Sequence, residues 1–191
     1  MRLILATANP DKARELAGLL QGFEGVPRPV DLPDVEETAD TLEGNARLKA
    51  VAVGAATGEL AVADDTGLEV DALGGRPGVY AARYAGDGAT YADNVAKLLI
   101  ELADVPAPER TARFRTVTVA VFPDGREIVA EGAVEGAITE WPAGDGGFGY
   151  DAVFVPAGGD GRTFAQMTQD EKAAVSHRGR ALRSLAGQLS G

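Results

Sequence analysis

A chain of 191 residues with a net charge of −11 and no cysteine has no disulfides, thiolate metal sites or cysteine nucleophiles, and it is long enough for one domain burying about 70% of its extended surface. The acidic balance argues against a nucleic-acid groove or an anionic membrane as partner, since both reward surplus lysine and arginine. The apolar opening is only a strand long before Asn9-Pro10, and no run reaches the roughly 18 apolar residues of a membrane span, so a soluble cytoplasmic protein is expected.

Residues 2–7 read as a buried strand, after which Asn9 is a good N-cap and Pro10 suits the first helical position. The helix is expected to run to about Gln21, with Ala13, Leu16, Ala17 and Leu20 on one apolar face. Lys12 falls in its first turn, where the helix dipole disfavours a cation by about 0.3–1 kcal/mol. Two readings stand for it: an anion held by Lys12 and the free amides of the first turn, or a solvated lysine. On the dipole alone, removing the charge should slightly stabilise the ligand-free protein.

Residues 22–33 read as a loop or irregular strand, followed by the acidic run Asp34, Glu36, Glu37 and Asp40. These carboxylates serve solvation, a helix dipole or a metal, and the pattern does not choose among the three. Asp40 and Glu43 are spaced as a capping box for a helix reaching about Ala56, before Gly58. The next stretch, Leu60 to Gly67, is an apolar strand running into Asp64, Asp65 and Thr66. Its carboxylates are expected at the strand's end, where an open α/β sheet gathers ligands, although Asp-Thr-Gly is also turn chemistry. In a strand the two carboxylates point to opposite faces.

A glycine-rich turn over 73–80 leads to Arg83, and Thr90 caps a helix whose face is Tyr91, Val95, Leu98 and Leu102. Two β-rich runs, 114–122 and 127–134, flank the hairpin signal Pro123-Asp-Gly-Arg126, so the sheet is expected to be mixed. Residues 144–149 spell G-x-G-x-x-G, but they precede an expected strand over 150–155 and open no helix, which rules out the dinucleotide fingerprint. What remains is a glycine loop presenting Phe148, Tyr150 and Asp151, with Phe148 suited either to the core or to stacking on a base. Thr168 to Glu171 is a capping box that places Lys172 in a first helical turn, and Ser176-His177-Arg178-Gly179 interrupts the helical pattern before it resumes at Leu182.

Thr7-Ala-Asn9-Pro-Asp-Lys12, Ala63-Asp-Asp-Thr-Gly-Leu68, Phe148-Gly-Tyr-Asp151 and Lys172 with Ser176-His-Arg178 stand in one order along nearly the whole chain. That set resembles the inosine triphosphate pyrophosphatase family, which hydrolyses non-standard purine nucleoside triphosphates such as ITP, dITP and XTP. The resemblance implies a single domain over 1–191, an α/β fold of two lobes around a long mixed sheet with a central active-site cleft, a homodimer and dependence on Mg²⁺. It further implies that Thr7, Ala8, Asn9, Pro10, Asp11 and Lys12 bind the triphosphate and that Glu37 and Asp65 hold the metal, with Asp65 also the general base. Thr66, Phe148, Gly149, Tyr150, Asp151, Lys172, His177 and Arg178 would complete the substrate site. The chain departs from the family's Phe-x-Glu-Asn at Leu42-Glu-Gly-Asn45, where Gly44 replaces an acid.

The chemistry suits the residues. Attack of water on an α-phosphorus needs orientation and charge stabilisation, which Lys12 and Lys172 can supply. Arg178 can only donate hydrogen bonds, and neutral His177 can donate one, which fits a purine with a carbonyl oxygen at C6. Two rivals remain at this level: a non-catalytic nucleotide-binding module, which needs no acidic metal ligands, and a phosphohydrolase of ordinary nucleotides.

Overall fold

The computed structural model describes residues 1–20 and 22–191. Gln21, the expected end of the first helix, lies outside the described residues. The elements in order are β1 (Arg2–Leu5), α1 (Pro10–Leu19), β2 (Glu24–Pro27), α2 (Leu42–Thr57), β3 (Ala61–Val70), β4 (Pro77–Gly78), α3 (Tyr91–Glu101), β5 (Thr111–Val121), β6 (Glu127–Ile138), β7 (Phe154–Pro156), α4 (Gln169–Val175) and α5 (His177–Ser190). The strands form one sheet in the order β2-β1-β3-β5-β6-β7, with β4 paired to β3. It is mixed, as expected: β1 is parallel to β2 and to β3, whereas β3 with β4 and β6 with β7 are antiparallel. The chain divides into two compact units, one of residues 1–65, 116–132 and 178–191, the other of residues 66–115 and 133–177.

The first unit is built by strand alternation. Leu3 and Leu5 of β1 and Val62 of β3 pack with Leu16, Leu182 and Leu185 on the α1 and α5 side. Ile4, Ala61 and Ala63 point the other way, onto Ala46, Ala50 and Val53 of α2. Those three residues recur at helical spacing and are small, so α2 lies close against the sheet. On α1 the expected face is narrower: Leu16 and Leu20 are buried, but Ala17 is exposed. The cap of α2 is also displaced by one residue. Thr41, not Asp40, accepts from the backbone N–H of Gly44, at 3.1 Å. Gly44 is dictated by this turn, because a Cβ there would lie 2.6 Å from the Ala39 Cβ and 2.9 Å from the Thr41 Oγ1. Position 44 therefore carries no side chain for want of room, and no metal ligand can be sought there.

In the second unit Leu68, Val70, Leu98, Leu102, Phe114 and Phe154 form the core. Thr90 and Asp93 cap α3 reciprocally, and Thr168 and Glu171 do the same for α4, the latter as expected. The strand expected over 150–155 shortens to Phe154–Pro156, because residues 148–153 instead close successive turns, with Asp151 N–H on the Phe148 carbonyl and Val153 N–H on that of Tyr150. Arg110, expected only as part of a proline-containing connection, is buried and donates to the carbonyls of Leu102, Val105 and Thr139 at 2.8, 2.9 and 3.2 Å. It thus closes the C-terminal end of α3, where unpaired carbonyls favour a cation. Replacement of Arg110 by Met keeps the packing but takes the side-chain donor from all three carbonyls, of which, among the described residues, only that of Leu102 also accepts a backbone N–H, from Val105. It should cost about 3 kcal/mol in urea unfolding, and a loss below about 0.5 kcal/mol would mean that water satisfies them equally well.

Candidate active site

Asp64 and Asp65 lie mid-strand and buried, not at the end of β3 as the sequence suggested. The end that matters is that of the neighbour. β1 stops at Leu5, paired with Val62, so the two carboxylates stand just past the C-terminal end of a parallel strand. The alternation that sorts the core sorts them too. Asp64 shares the face of Val62, toward α1 and α5, and Asp65 shares that of Ala63, toward α2.

On the Asp64 side, Lys12 Nζ lies 3.5 Å from Asp64 Oδ2, and Arg178 donates from Nε to the same oxygen at 3.1 Å and from Nη1 to Glu15 Oε2 at 2.5 Å. Arg178 is the first residue of the unit's α5 segment and Glu15 belongs to α1, so this network ties two helices to one strand. Burial works against the charge on Asp64, yet Lys12, Arg178 and Lys49 outweigh it and hold the carboxyl well below its usual range. The Arg178 guanidinium is likewise kept charged against burial by Asp64 and Glu15.

Lys12 is neither a solvated lysine nor an unmatched cation. Its side chain is 16% exposed and it also approaches Asp65 Oδ1 at 3.9 Å. Burial lowers its pKa, and Asp64 offsets only part of that because the like charges of Lys49 and Arg178 also act downward. The cation at the helix start thus has the chain's own acids as partners, although these do not make good the whole cost of burying it. The helix start itself forms as read: Asn9 Oδ1 accepts from the N–H groups of Asp11 and Lys12 at 2.9 and 3.2 Å, and Thr7 Oγ1 accepts from Asn9 N–H at 3.1 Å. Ala8 and Pro10 are exposed, and the Asp11 carboxylate is taken by Arg14.

On the Asp65 side, Asn45 donates from Nδ2 to Asp65 Oδ2 at 3.3 Å and accepts the Ala39 N–H at 2.9 Å on its other amide atom. One turn along α2, Lys49 Nζ lies 2.7 Å from Glu37 Oε1 and 3.6 Å from Asp65 Oδ1. Glu36 is exposed, so of the adjacent pair it is Glu37 that faces Asp65's cation. Burial pushes the Asp65 pKa up, opposed by Lys49 and Lys12 and assisted by Glu37 and Asp64. For Lys49 burial acts downward, but Asp65, Asp64 and Glu37 together carry its pKa above the ordinary value. No group of three or more His, Cys, Asp or Glu side chains converges among the described residues. Two carboxylates that already converge on one cation do fit a hard divalent ion that completes its shell with water and phosphate oxygens.

The second unit holds the other expected residues. Lys172 and Asp151, both buried, pair at 2.6 Å. Asp151 Oδ2 also accepts the Phe148 N–H at 2.8 Å. A Cβ on Gly147, whose φ is +68°, would fall 2.0 Å from that oxygen, so the glycine loop is shaped around the carboxylate. Lys172 Nζ stands 5.0 Å from the centroid of the half-buried Phe148 ring, and Tyr91 packs against the same ring at 5.8 Å. Tyr150 is a core residue whose hydroxyl donates to the Ala81 carbonyl at 2.8 Å. His177 is buried and stacked on Phe114, with centroids 4.4 Å apart and planes at 15°. Thr66 and Gly149 are partly exposed. The residues missed by sequence reasoning are Glu15, Asn45 as the orienter of Asp65, and Lys49. Lys49 follows Asn45 by four residues and borders the Ala46 and Ala50 stripe, which was the only signal available.

A mixed sheet that carries a buried carboxylate pair among three cations, just beyond a strand end, defines an α/β protein with a concentrated cluster of opposite charges. The chain belongs to the Ham1 family, whose pattern it matches over residues 3–188. It is 53% identical over 193 residues to a dITP/XTP pyrophosphatase of Nitratidesulfovibrio vulgaris, covering 96% of this chain and 93% of that protein. It is 51% identical over 183 residues to a dITP/XTP pyrophosphatase of Symbiobacterium thermophilum, covering 95% and 91%. Among solved structures it is similar to a HAM1 protein from Coxiella burnetii, at a TM-score of 0.88 and 36% identity over 100% and 98% of the two chains. A nucleoside-triphosphatase, or dITP/XTP pyrophosphatase, from Mycobacterium abscessus matches at 46% identity and a TM-score of 0.75 over 97% and 98%.

Removal of the Asp64 charge tests the site's electrostatics. The folded pKa lies below the unfolded one, so this carboxylate's contribution is full above about pH 4 and fades as pH falls toward the folded value. Asp64→Asn should be less stable than the parent by about 3–5 kcal/mol at pH 7, with the gap narrowing in acid. Denaturant curves in a chelator between about pH 3 and pH 7 would show it, and a gap independent of pH would contradict the assignment.

Proposed function

We propose that the chain hydrolyses non-standard purine nucleoside triphosphates, of the ITP, dITP and XTP class, to the nucleoside monophosphate and pyrophosphate, and so clears them from the nucleotide pool. The reading is carried by the half-buried cluster of Lys12, Lys49 and Glu37 around the buried Asp65, in a chain whose relatives are dITP/XTP pyrophosphatases. Water attacks the α-phosphorus, a new P–O bond forms, and the bond to the bridging oxygen breaks as pyrophosphate leaves. Lys12 meets the phosphate charge at the start of α1, where the helix dipole also favours an anion. Asp65, raised in pKa by burial and oriented by Asn45, is suited to take the water's proton. A Mg²⁺ ion would be held by Glu37 and Asp65 and would supply charge neutralisation to the phosphates.

Phe148 offers a ring face for the purine, and Lys172 and Asp151 hold the loop that presents it. His177 and Arg178 are the donors proposed for a C6 carbonyl oxygen. A homodimeric state rests on the family resemblance alone. A cytoplasmic location rests on composition, and no helix among the described residues is long and apolar enough to cross a membrane.

Pyrophosphate release from ITP, dITP, XTP, GTP and ATP, each with Mg²⁺ at matched concentration, tests the proposal. ITP, dITP and XTP should be strongly preferred, and Asp65→Asn or Glu37→Gln should lower kcat by about 10³-fold or more while the protein stays folded. Equal turnover of ATP and ITP would overturn the substrate class. Phe148→Ala should lower kcat/KM for ITP and ATP by a similar factor of about 10–100, because stacking does not discriminate among purines. A loss confined to ITP would show instead that the ring contributes to selection.

A further inference from the structure

We infer that Lys49 is a place-holder for the divalent metal, occupying with its ammonium the position between Glu37 and Asp65 when neither metal nor triphosphate is bound. The inference rests on the metal role proposed for those two carboxylates and goes beyond it. Two like charges that converge in a half-buried position need a cation between them, or one must take up a proton or move away. Lys49 supplies it, at 2.7 Å from Glu37 and 3.6 Å from Asp65. Lys12 is placed differently, with Asp64 its nearer partner at 3.5 Å and Asp65 at 3.9 Å. Lys49 is anchored on α2 one turn after Asn45, and its side chain is 11% exposed, so the ammonium is held inside the site.

The consequence is a coupling between two ligands. A divalent ion entering alone must displace the ammonium and leave it stranded beside a like charge, so the free protein binds metal weakly. A triphosphate arriving with the ion gives Lys49 a new anion and relieves that cost, so each ligand strengthens the other by the same factor. The device keeps Glu37 and Asp65 in place before substrate arrives and favours the metal–triphosphate complex over free metal.

The test is calorimetric titration of Mg²⁺ into the free protein, without nucleotide, for the parent, Lys49→Met, Lys49→Arg, Glu37→Gln and Asp65→Asn, each checked by circular dichroism. Lys49→Met should bind Mg²⁺ at least about tenfold more tightly than the parent, Lys49→Arg no more tightly, and the two carboxylate variants more weakly. Unchanged or weakened binding in Lys49→Met, with the carboxylate variants still weakened, overturns the place-holder alone. Carboxylate variants that bind as the parent does overturn the metal role and the place-holder with it. Should Lys49→Met not fold, lysine side-chain NMR of the parent decides: the Lys49 ammonium resonance, assigned with Lys49→Arg, must shift on addition of Mg²⁺, and a resonance that stays put overturns the inference.

Discussion

A carboxylate fully removed from water must be met by positive charge, and Asp64 is such a group. Its partners are drawn from different parts of the chain, Lys12 on α1 and Arg178 on α5, so one buried charge fixes how both helices lie on β3. That arrangement is costly to assemble, because all three groups give up hydration. It is more costly to break, because any member left alone is an uncompensated charge in a buried place. The rest of the site inherits its geometry from this lock.

Strand alternation then divides the work between neighbours. Asp64 faces the helices that close the unit, while Asp65, one residue on, faces α2 and the cation held there with Glu37. Two adjacent aspartates of the same chemistry thus acquire opposite properties, one held firmly ionised and the other raised toward the range useful for taking a proton. Neither environment requires a special residue. Both follow from the pleat of β3 and from where β1 ends.

Local rules reached a good part of this. Asn9, Thr90 and Thr168 cap helices as their spacing implies, the Pro123 to Arg126 turn joins β5 to β6, and the break at Ser176 separates α4 from α5. What local rules could not reach depends on partners distant in sequence. Asp64 and Asp65 look like the polar end of a strand until β5 and β1 are placed beside them. Lys12 looks misplaced against its dipole until Asp64 is brought within 3.5 Å. Arg110 and Lys49 are ordinary cations in the sequence, and only tertiary contacts give them three carbonyls and two carboxylates to hold. The shortened β7 has the same origin, since Asp151 is drawn into a turn by Lys172 and the Phe148 N–H.

The direct test of the lock is a double-mutant cycle on stability between Asp64→Asn and Arg178→Met, with both singles and the double variant unfolded in denaturant. Groups that are buried for each other's sake lose far less together than the sum of their separate losses, and the coupling expected here is about 2–3 kcal/mol. Losses that add within about 0.5 kcal/mol would mean that the two charges are satisfied independently and that the site is organised around some other contact.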